Sequence, residues 1–142
     1  MDRFCLKKAP PIENNDVTQW ELGLRVYIND RLLDEEDYCL DIDSFFRALD
    51  RDGSITLVGG CGIPECCAVG PQSRITKNGW EWRYGIDALY SIGWNDIYKA
   101  AETIIQEIEQ QDNEHLQRYF GPQLPAYREK RNNLKKLAAD LG

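Results

Sequence analysis

Three of the five cysteines lie within seven positions, in the stretch CGIPECC at residues 61 to 67. Cysteine thiolates bind zinc, and a structural zinc site needs about four nitrogen or sulfur ligands, commonly in closely spaced pairs. Cys61 and Cys66 are separated by four residues and Cys67 follows directly, so these three cysteines are candidate zinc ligands. The remaining ligands would have to come from Cys5, Cys39, His115 or a carboxylate.

Two other interpretations of the same stretch stay open. Cys61 and Cys66 could form a reversible disulfide across the Gly-Ile-Pro-Glu turn, although no neighbouring cation is present to lower a thiol pKa. Alternatively, the cysteines are small buried side chains at a turn whose backbone requires Gly62 and Pro64. The sequence favours this last interpretation, so we expect no cofactor, with zinc as the alternative.

Signatures of catalysis are missing from the sequence. It contains no G-x-S-x-G, no phosphate-binding glycine loop and no H-E-x-x-H. The one histidine, His115, lies in a helical region where a surface position is expected. We therefore predict no catalytic residues and a protein that is not an enzyme.

An excess of carboxylates points to the kind of partner. The chain has 24 Asp and Glu against 17 Lys and Arg, a net charge of -7, which repels nucleic acid phosphates. A run between residues 30 and 52 is especially acidic, and the simpler interpretation is that these carboxylates form a solvated surface without a specific partner. The sharper interpretation is a patch that docks on a basic protein. Its candidate residues are Asp34, Glu35, Glu36, Asp37, Asp41 and Asp43.

Apolar stretches of membrane length are missing from the sequence. The first residues lack the apolar core of a signal peptide, and no window approaches the roughly 20 apolar residues that cross a bilayer. We therefore expect a cytoplasmic protein that does not bind membranes.

The elements that must position these residues begin with strands. Residues 1–15, with Pro10 and Pro11, predict a flexible N-terminal arm. From Trp20 to Ile28 apolar residues alternate with others, which is typical of a half-buried strand. Asp43 and Ser44 then provide helix N-cap chemistry for a short helix that ends before Gly53, and SITLVGG predicts a strand leading to the cysteines.

A hairpin is predicted around Lys77-Asn78-Gly79, because Asn-Gly favours a type I′ turn. In its second strand Trp80, Trp82 and Tyr84 share one face. An aromatic stripe of this kind usually packs in the core. It could instead be an exposed contact surface, which makes Trp80 and Trp82 further candidates for partner binding.

Helical periodicity fills the last third of the chain. Apolar residues from Ile97 to Ile108 recur at helical spacing, and a second helical stretch reaches Gly121-Pro122. A final helix is predicted from Tyr127 to Leu141. Strands followed by helices indicate an α+β fold with helices on one face of an antiparallel sheet. We expect one domain over residues 16–142, β-rich over 16–90 and helical over 94–141.

The stretches LRVYIND, LVGGCGIPECC and WEW, within residues 22 to 84, resemble a group of small uncharacterised bacterial proteins with a Cys-Gly-x-Pro-x-Cys segment. That group is similar in size and acidity to immunity proteins that neutralise bacterial toxins. The resemblance implies an inhibitor that covers the active site of a basic toxin or enzyme. The alternative hypothesis is a metal- or redox-responsive module built on the CGIPECC cysteines.

Overall fold

A computed structural model describes residues 1–8, 22–33, 39–58 and 70–141, which we call the frame. The elements of the frame, in chain order, are nine strands and four helices: β1 Phe4–Lys8, β2 Leu24–Ile28, β3 Arg31–Leu32, β4 Cys39–Leu40, α1 Ile42–Arg47, β5 Gly53–Ser54, β6 Leu57–Val58, β7 Gln72–Thr76, β8 Gly79–Tyr84, β9 Ala88–Gly93, α2 Trp94–Glu109, α3 Glu114–Phe120 and α4 Leu124–Leu141. A 3-10 turn, Gly121–Gln123, joins α3 to α4.

All strand pairs in these sheets are antiparallel. Strands β1, β2 and β3 form one sheet, β4 and β6 form a two-stranded ribbon, and the third sheet has the order β5-β7-β8-β9. A parallel bridge between Asp2 and Ile92 joins the first sheet to the third. With helices following the strands, the predicted α+β class is confirmed.

The first residues belong to the sheet. Phe4 and Leu6 are buried, and β1 pairs with β2 along its whole length, from Phe4 opposite Ile28 to Lys8 opposite Leu24. The prediction of a flexible arm is therefore wrong for residues 4–8, because their alternating burial makes them a core strand. Residues 9–15 of that predicted arm lie outside the frame.

The two tightest hairpins of the frame differ in the backbone conformation of their turns. The predicted hairpin is present, with Thr76 opposite Gly79 around Lys77 and Asn78, but Asn78 does not adopt positive φ. Asn29 and Asp30 do, with φ of 54° and 67°, in the turn between β2 and β3. The type I′ backbone thus occurs at the Asn-Asp pair, because both of its central residues need positive φ.

Helix α2 covers the inner side of the sheets. Its buried residues, among them Ile97, Ala101 and Ile104, face β1, β8 and β9, and α4 packs along α2. Phe4 Nα donates a hydrogen bond to Asp96 Oδ2 at 3.0 Å, which ties β1 to the first turn of α2. No helix among the residues of the frame is both long and apolar enough to cross a bilayer.

Candidate functional site

The frame contains four of the predicted contact residues: Asp41, Asp43, Trp80 and Trp82. The other predicted residues lie outside it, so their predicted roles are neither confirmed nor contradicted. They are Asp34, Glu35, Glu36, Asp37, Cys61, Cys66 and Cys67.

Asp41 begins helix α1. Its carboxylate accepts a hydrogen bond from Asp43 Nα at 3.2 Å, and Ser44 Oγ donates to the Asp41 carbonyl at 2.7 Å. Thr56 Nα in turn donates to Ser44 Oγ at 2.9 Å, which fixes the helix start against the chain before β6. The prediction that Asp43 and Ser44 cap this helix is wrong, because the N-cap residue is Asp41, two residues earlier. Its side chain accepts the hydrogen bond from the otherwise unpaired backbone N–H of Asp43 in the first turn.

Asp43 joins α1 to the C-terminal helices. Tyr119 Oη donates a hydrogen bond to Asp43 Oδ2 at 3.0 Å, and Tyr127 Oη donates to Asp43 Oδ1 at 2.5 Å. Both carboxylate oxygens are therefore engaged within the chain. Asp41 and Asp43 thus have structural roles, and their part in partner binding stays a prediction.

The environment of Tyr127 opposes its ionisation. Its side chain is buried and stacks on Phe46 at 3.9 Å between ring centroids. Burial, and then the hydrogen bond to Asp43, raise the pKa of Tyr127 above its ordinary value. Tyr127 is therefore neutral at physiological pH and acts as a hydrogen-bond donor.

Trp80 and Trp82 are core residues. Their exposed fractions are 1% and 0%, and each indole has a partner: Trp80 Nε1 donates to the Ala48 carbonyl and Trp82 Nε1 to Ser73 Oγ, both at 3.0 Å. The interpretation of Trp80 and Trp82 as exposed partner contacts is wrong, because their face of β8 is the one that meets the helices. The alternative of a core position is confirmed for both tryptophans, whereas Tyr84, the third residue of the predicted stripe, is half-buried.

Adjacent strand ends connect the frame to two of the predicted functional stretches. Cys39 pairs with Val58 in the β4-β6 ribbon. Residues 34–38 precede Cys39 in the sequence, and residues 59–69, which contain CGIPECC, follow Val58. Both stretches therefore join the frame at the same end of this ribbon.

Charged residues are distributed differently in the frame and in the segments that connect its parts. The three segments between parts of the frame, residues 9–21, 34–38 and 59–69, contain eight of the 24 Asp and Glu and no Lys or Arg. The frame keeps 16 Asp and Glu against all 17 Lys and Arg, so it is close to neutral. The negative excess of the protein is carried by Glu13, Asp16, Glu21, Asp34, Glu35, Glu36, Asp37 and Glu65.

Within the frame, opposite charges neutralise each other. The basic residues of α4, which look like a separate positive patch in the sequence, are used in this way: Arg131 contacts Glu102 at 3.0 Å, Arg128 contacts Glu109 at 3.6 Å, and Lys130 pairs with Asp50. Sequence reasoning missed these pairs, because residues up to 80 positions apart carry no local signal of contact.

Metal ligands do not cluster in the frame. Its residues include no group of three His, Cys, Asp or Glu that could hold an ion. Cys39 is buried and Cys5 is partly buried. His115 is exposed on α3. The zinc and redox interpretations of Cys61, Cys66 and Cys67 stay predictions.

Comparison with known proteins found no matching family model, no similar curated protein and no similar solved structure.

Proposed function

We propose that this chain is a protein-binding inhibitor of the immunity type, which attaches to a basic toxin or enzyme through its acidic connecting segments and covers the active site. One observation carries the proposal: the negative excess lies entirely in residues 9–21, 34–38 and 59–69. Carboxylates that served only solubility would need no such segregation.

Electrostatics explains why segregation suits a binding protein. Like-signed charges grouped on one part of a surface give a directed field, which raises the association rate with a basic partner and rejects acidic ones. Asp34, Glu35, Glu36 and Asp37, which we call the acidic segment, follow one another directly in the sequence. The three connecting segments contain no Lys or Arg, so no positive charge within them reduces that field.

The frame supports the proposal by giving these segments a rigid base. The acidic segment is one residue away from the buried β4-β6 ribbon, in which Leu40 and Val58 are fully buried. Asp41, the residue that follows β4, caps α1. Helix α1 is in turn joined to α4 by the hydrogen bond between Asp43 and Tyr127. Anchoring both ends of a contact segment lowers the entropy cost of binding.

A growth assay tests the proposal. Products of genes next to the one encoding this chain would each be expressed in a bacterial host, alone and together with the chain. We expect one basic product to stop growth and the chain to restore it. If every toxic neighbour remains toxic in the presence of the chain, the inhibitor function is contradicted.

Two matched variants separate specific contacts from net charge. One replaces all four carboxylates of the acidic segment by lysine. The control replaces four exposed carboxylates of the frame that have no partner within it: Asp87, Asp112, Glu129 and Asp140. Both variants change the net charge by the same amount. We expect the first to lose protection and the control to keep it, whereas equal behaviour would overturn the role of the acidic segment.

A further inference from the structure

Beside the end of helix α1 lies a concave surface that encloses a volume of about 420 Å³. Two arginines, Arg47 and Arg51, line it together with residues of β5 and its flanking chain up to the start of β6. The other residues used below are Asp52, Gly53, Ser54 and Thr56.

Neither arginine forms an ion pair within the frame. The sequence, RALDRDGS, suggests pairing with Asp50 or Asp52, but both carboxylates have other partners. Asp50 pairs with Lys130, and Asp52 Oδ1 accepts a hydrogen bond from Ile75 Nα at 2.8 Å. The guanidinium groups are therefore left available on the wall of the concave surface.

Five of the eight other arginines in the frame form ion pairs within it, whereas Arg31 and Arg83 do not. Arg3, Arg74 and Arg131 contact Asp30, Glu81 and Glu102 at 2.8, 2.9 and 3.0 Å. A cation in the last turn of a helix is favoured by the helix dipole, which accounts for Arg47. That explanation does not extend to Arg51, which lies four residues beyond the end of α1.

Hydroxyl donors complete the lining. Ser54 Oγ accepts a hydrogen bond from Gln72 Nε2 at 2.8 Å, which leaves its own proton to donate. Thr56 uses its backbone groups for Ser44 and Asp41, so its hydroxyl is not needed to hold the chain in place. Two arginines and two hydroxyl-bearing residues, Ser54 and Thr56, thus line one surface.

We propose that this surface, the Arg47/Arg51 cleft, binds the phosphate group of a small molecule. Guanidinium groups offer parallel N–H donors that match phosphate oxygens, and charge-assisted hydrogen bonds of this kind are the strong ones. A phosphate carries about 1.5 to 2 negative charges at neutral pH. The two arginines and the carboxylate of Asp52 give the cleft a net positive charge of one, which attracts such an anion.

NMR titration with inorganic phosphate and with pyrophosphate tests the proposal. Ionic strength is held constant with chloride, and the amide signals of Gly53, Ser54 and Thr56 are followed. We expect saturable shifts at these amides with a dissociation constant on the order of 1 mM for phosphate. Binding of pyrophosphate no tighter than that of phosphate would indicate that the cleft accommodates a single phosphate group.

The variants R47Q and R51Q decide the result, with R83Q as the matched control. Arg83 is also exposed and has no ion-pair partner in the frame, but it lies on β8. We expect each of the first two variants to raise the dissociation constant about tenfold or more, and R83Q to leave it unchanged. Melting temperatures check that all three variants fold.

Two results would overturn the proposal. One is an absence of saturation at the three amides, with shifts that match those caused by chloride alone. The other is an equal effect of all three variants, which would mean that phosphate responds only to net charge. The proposal does not depend on the inhibitor function, since it concerns other residues and needs no protein partner.

Discussion

The frame and the connecting segments differ in what their carboxylates do. In the frame, carboxylates hold elements together, as Glu102 does with Arg131 and Asp43 with Tyr127. In the connecting segments, eight carboxylates occur without any Lys or Arg. Stability and net charge therefore depend on separate parts of this chain. Removing charge from the segments and removing contacts from the frame should therefore have different consequences.

The largest effect is expected at the centre of the frame. Trp82 is fully buried, stacks on Trp80 at 5.5 Å and donates to Ser73. Trp82→Ala should lower the free energy of unfolding by about 3–5 kcal/mol, because it leaves a cavity and an unpaired hydroxyl. Urea denaturation measures this. Leu89→Ala is the control, since Leu89 is 55% exposed, and a similar loss there would contradict the account.

Gly79 tests the packing of the hairpin. Its φ is 149°, and a Cβ atom at this position would lie 1.9 Å from the carbonyl oxygen of Ile92. Gly79→Ala should therefore separate β8 from β9 and lower the free energy of unfolding by about 1–3 kcal/mol or more. Gly53→Ala is the matched control, because a Cβ atom at Gly53 meets nothing within 4 Å. Equal losses in urea denaturation would show that steric contact at Gly79 is not the cause.

An effect of similar size is expected from the hydrogen bond between Tyr127 and Asp43. Tyr127→Phe keeps the stacking on Phe46 but removes the donor, so it should cost about 1.5–3 kcal/mol. Tyr119→Phe removes the other donor to the same carboxylate and should cost less, because Tyr119 is 44% exposed. Thermal unfolding of both variants measures the ranking, and the reverse order would contradict it.

The raised pKa of Tyr127 adds a dependence on pH. The buried phenol is neutral, so its contribution to stability is fully present below the ordinary tyrosine pKa of about 10 and is lost as pH rises beyond it. Ultraviolet titration should show one tyrosine that ionises only when the protein unfolds. This late ionisation should disappear in Tyr127→Phe; its persistence there would assign it to another tyrosine.

The smallest effect is expected at Asp2, on the bridge between two sheets. The hydrogen bond from the Asn29 side chain, and then that from Ser91 Nα, lower the pKa of Asp2 below its ordinary value. Its contribution to stability is present above about pH 3.9 and is lost as pH falls below that value. Asp2→Asn should make acid unfolding less steep. Asp87→Asn, at an exposed turn, should leave the acid-unfolding profile unchanged.

Local patterns predicted part of the fold. The alternation up to Ile28 identified β2, and helical spacing from Ile97 to Ile108 identified α2. Strand β9 was missed because its sequence, ALYSIG, shows no alternation of apolar and polar residues: burial does alternate along the strand, but Leu89 lies on the exposed side. Helix α4 begins at Leu124 rather than at Tyr127, since a proline such as Pro125 is tolerated in the first turn.

The candidate site was predicted less well than the fold. Sequence alone showed that carboxylates are abundant between residues 30 and 52. It did not show that Asp43 is engaged by Tyr119 and Tyr127, which lie 76 and 84 residues away. Contacts at such separations depend on the packing of whole elements. Composition therefore located the acidic run, while the distinction between structural carboxylates and available ones required the fold.

The electrostatic role of the acidic segment can be measured through the association rate constant with the toxic partner that the growth assay identifies. Stopped-flow mixing at several ionic strengths would compare the wild type, the acidic-segment variant and the frame control. We predict that the wild type and the frame control associate at least about tenfold faster at low salt than at high salt, whereas the acidic-segment variant is slow and insensitive to salt. Equal rates and equal salt dependence for the two variants would contradict the account.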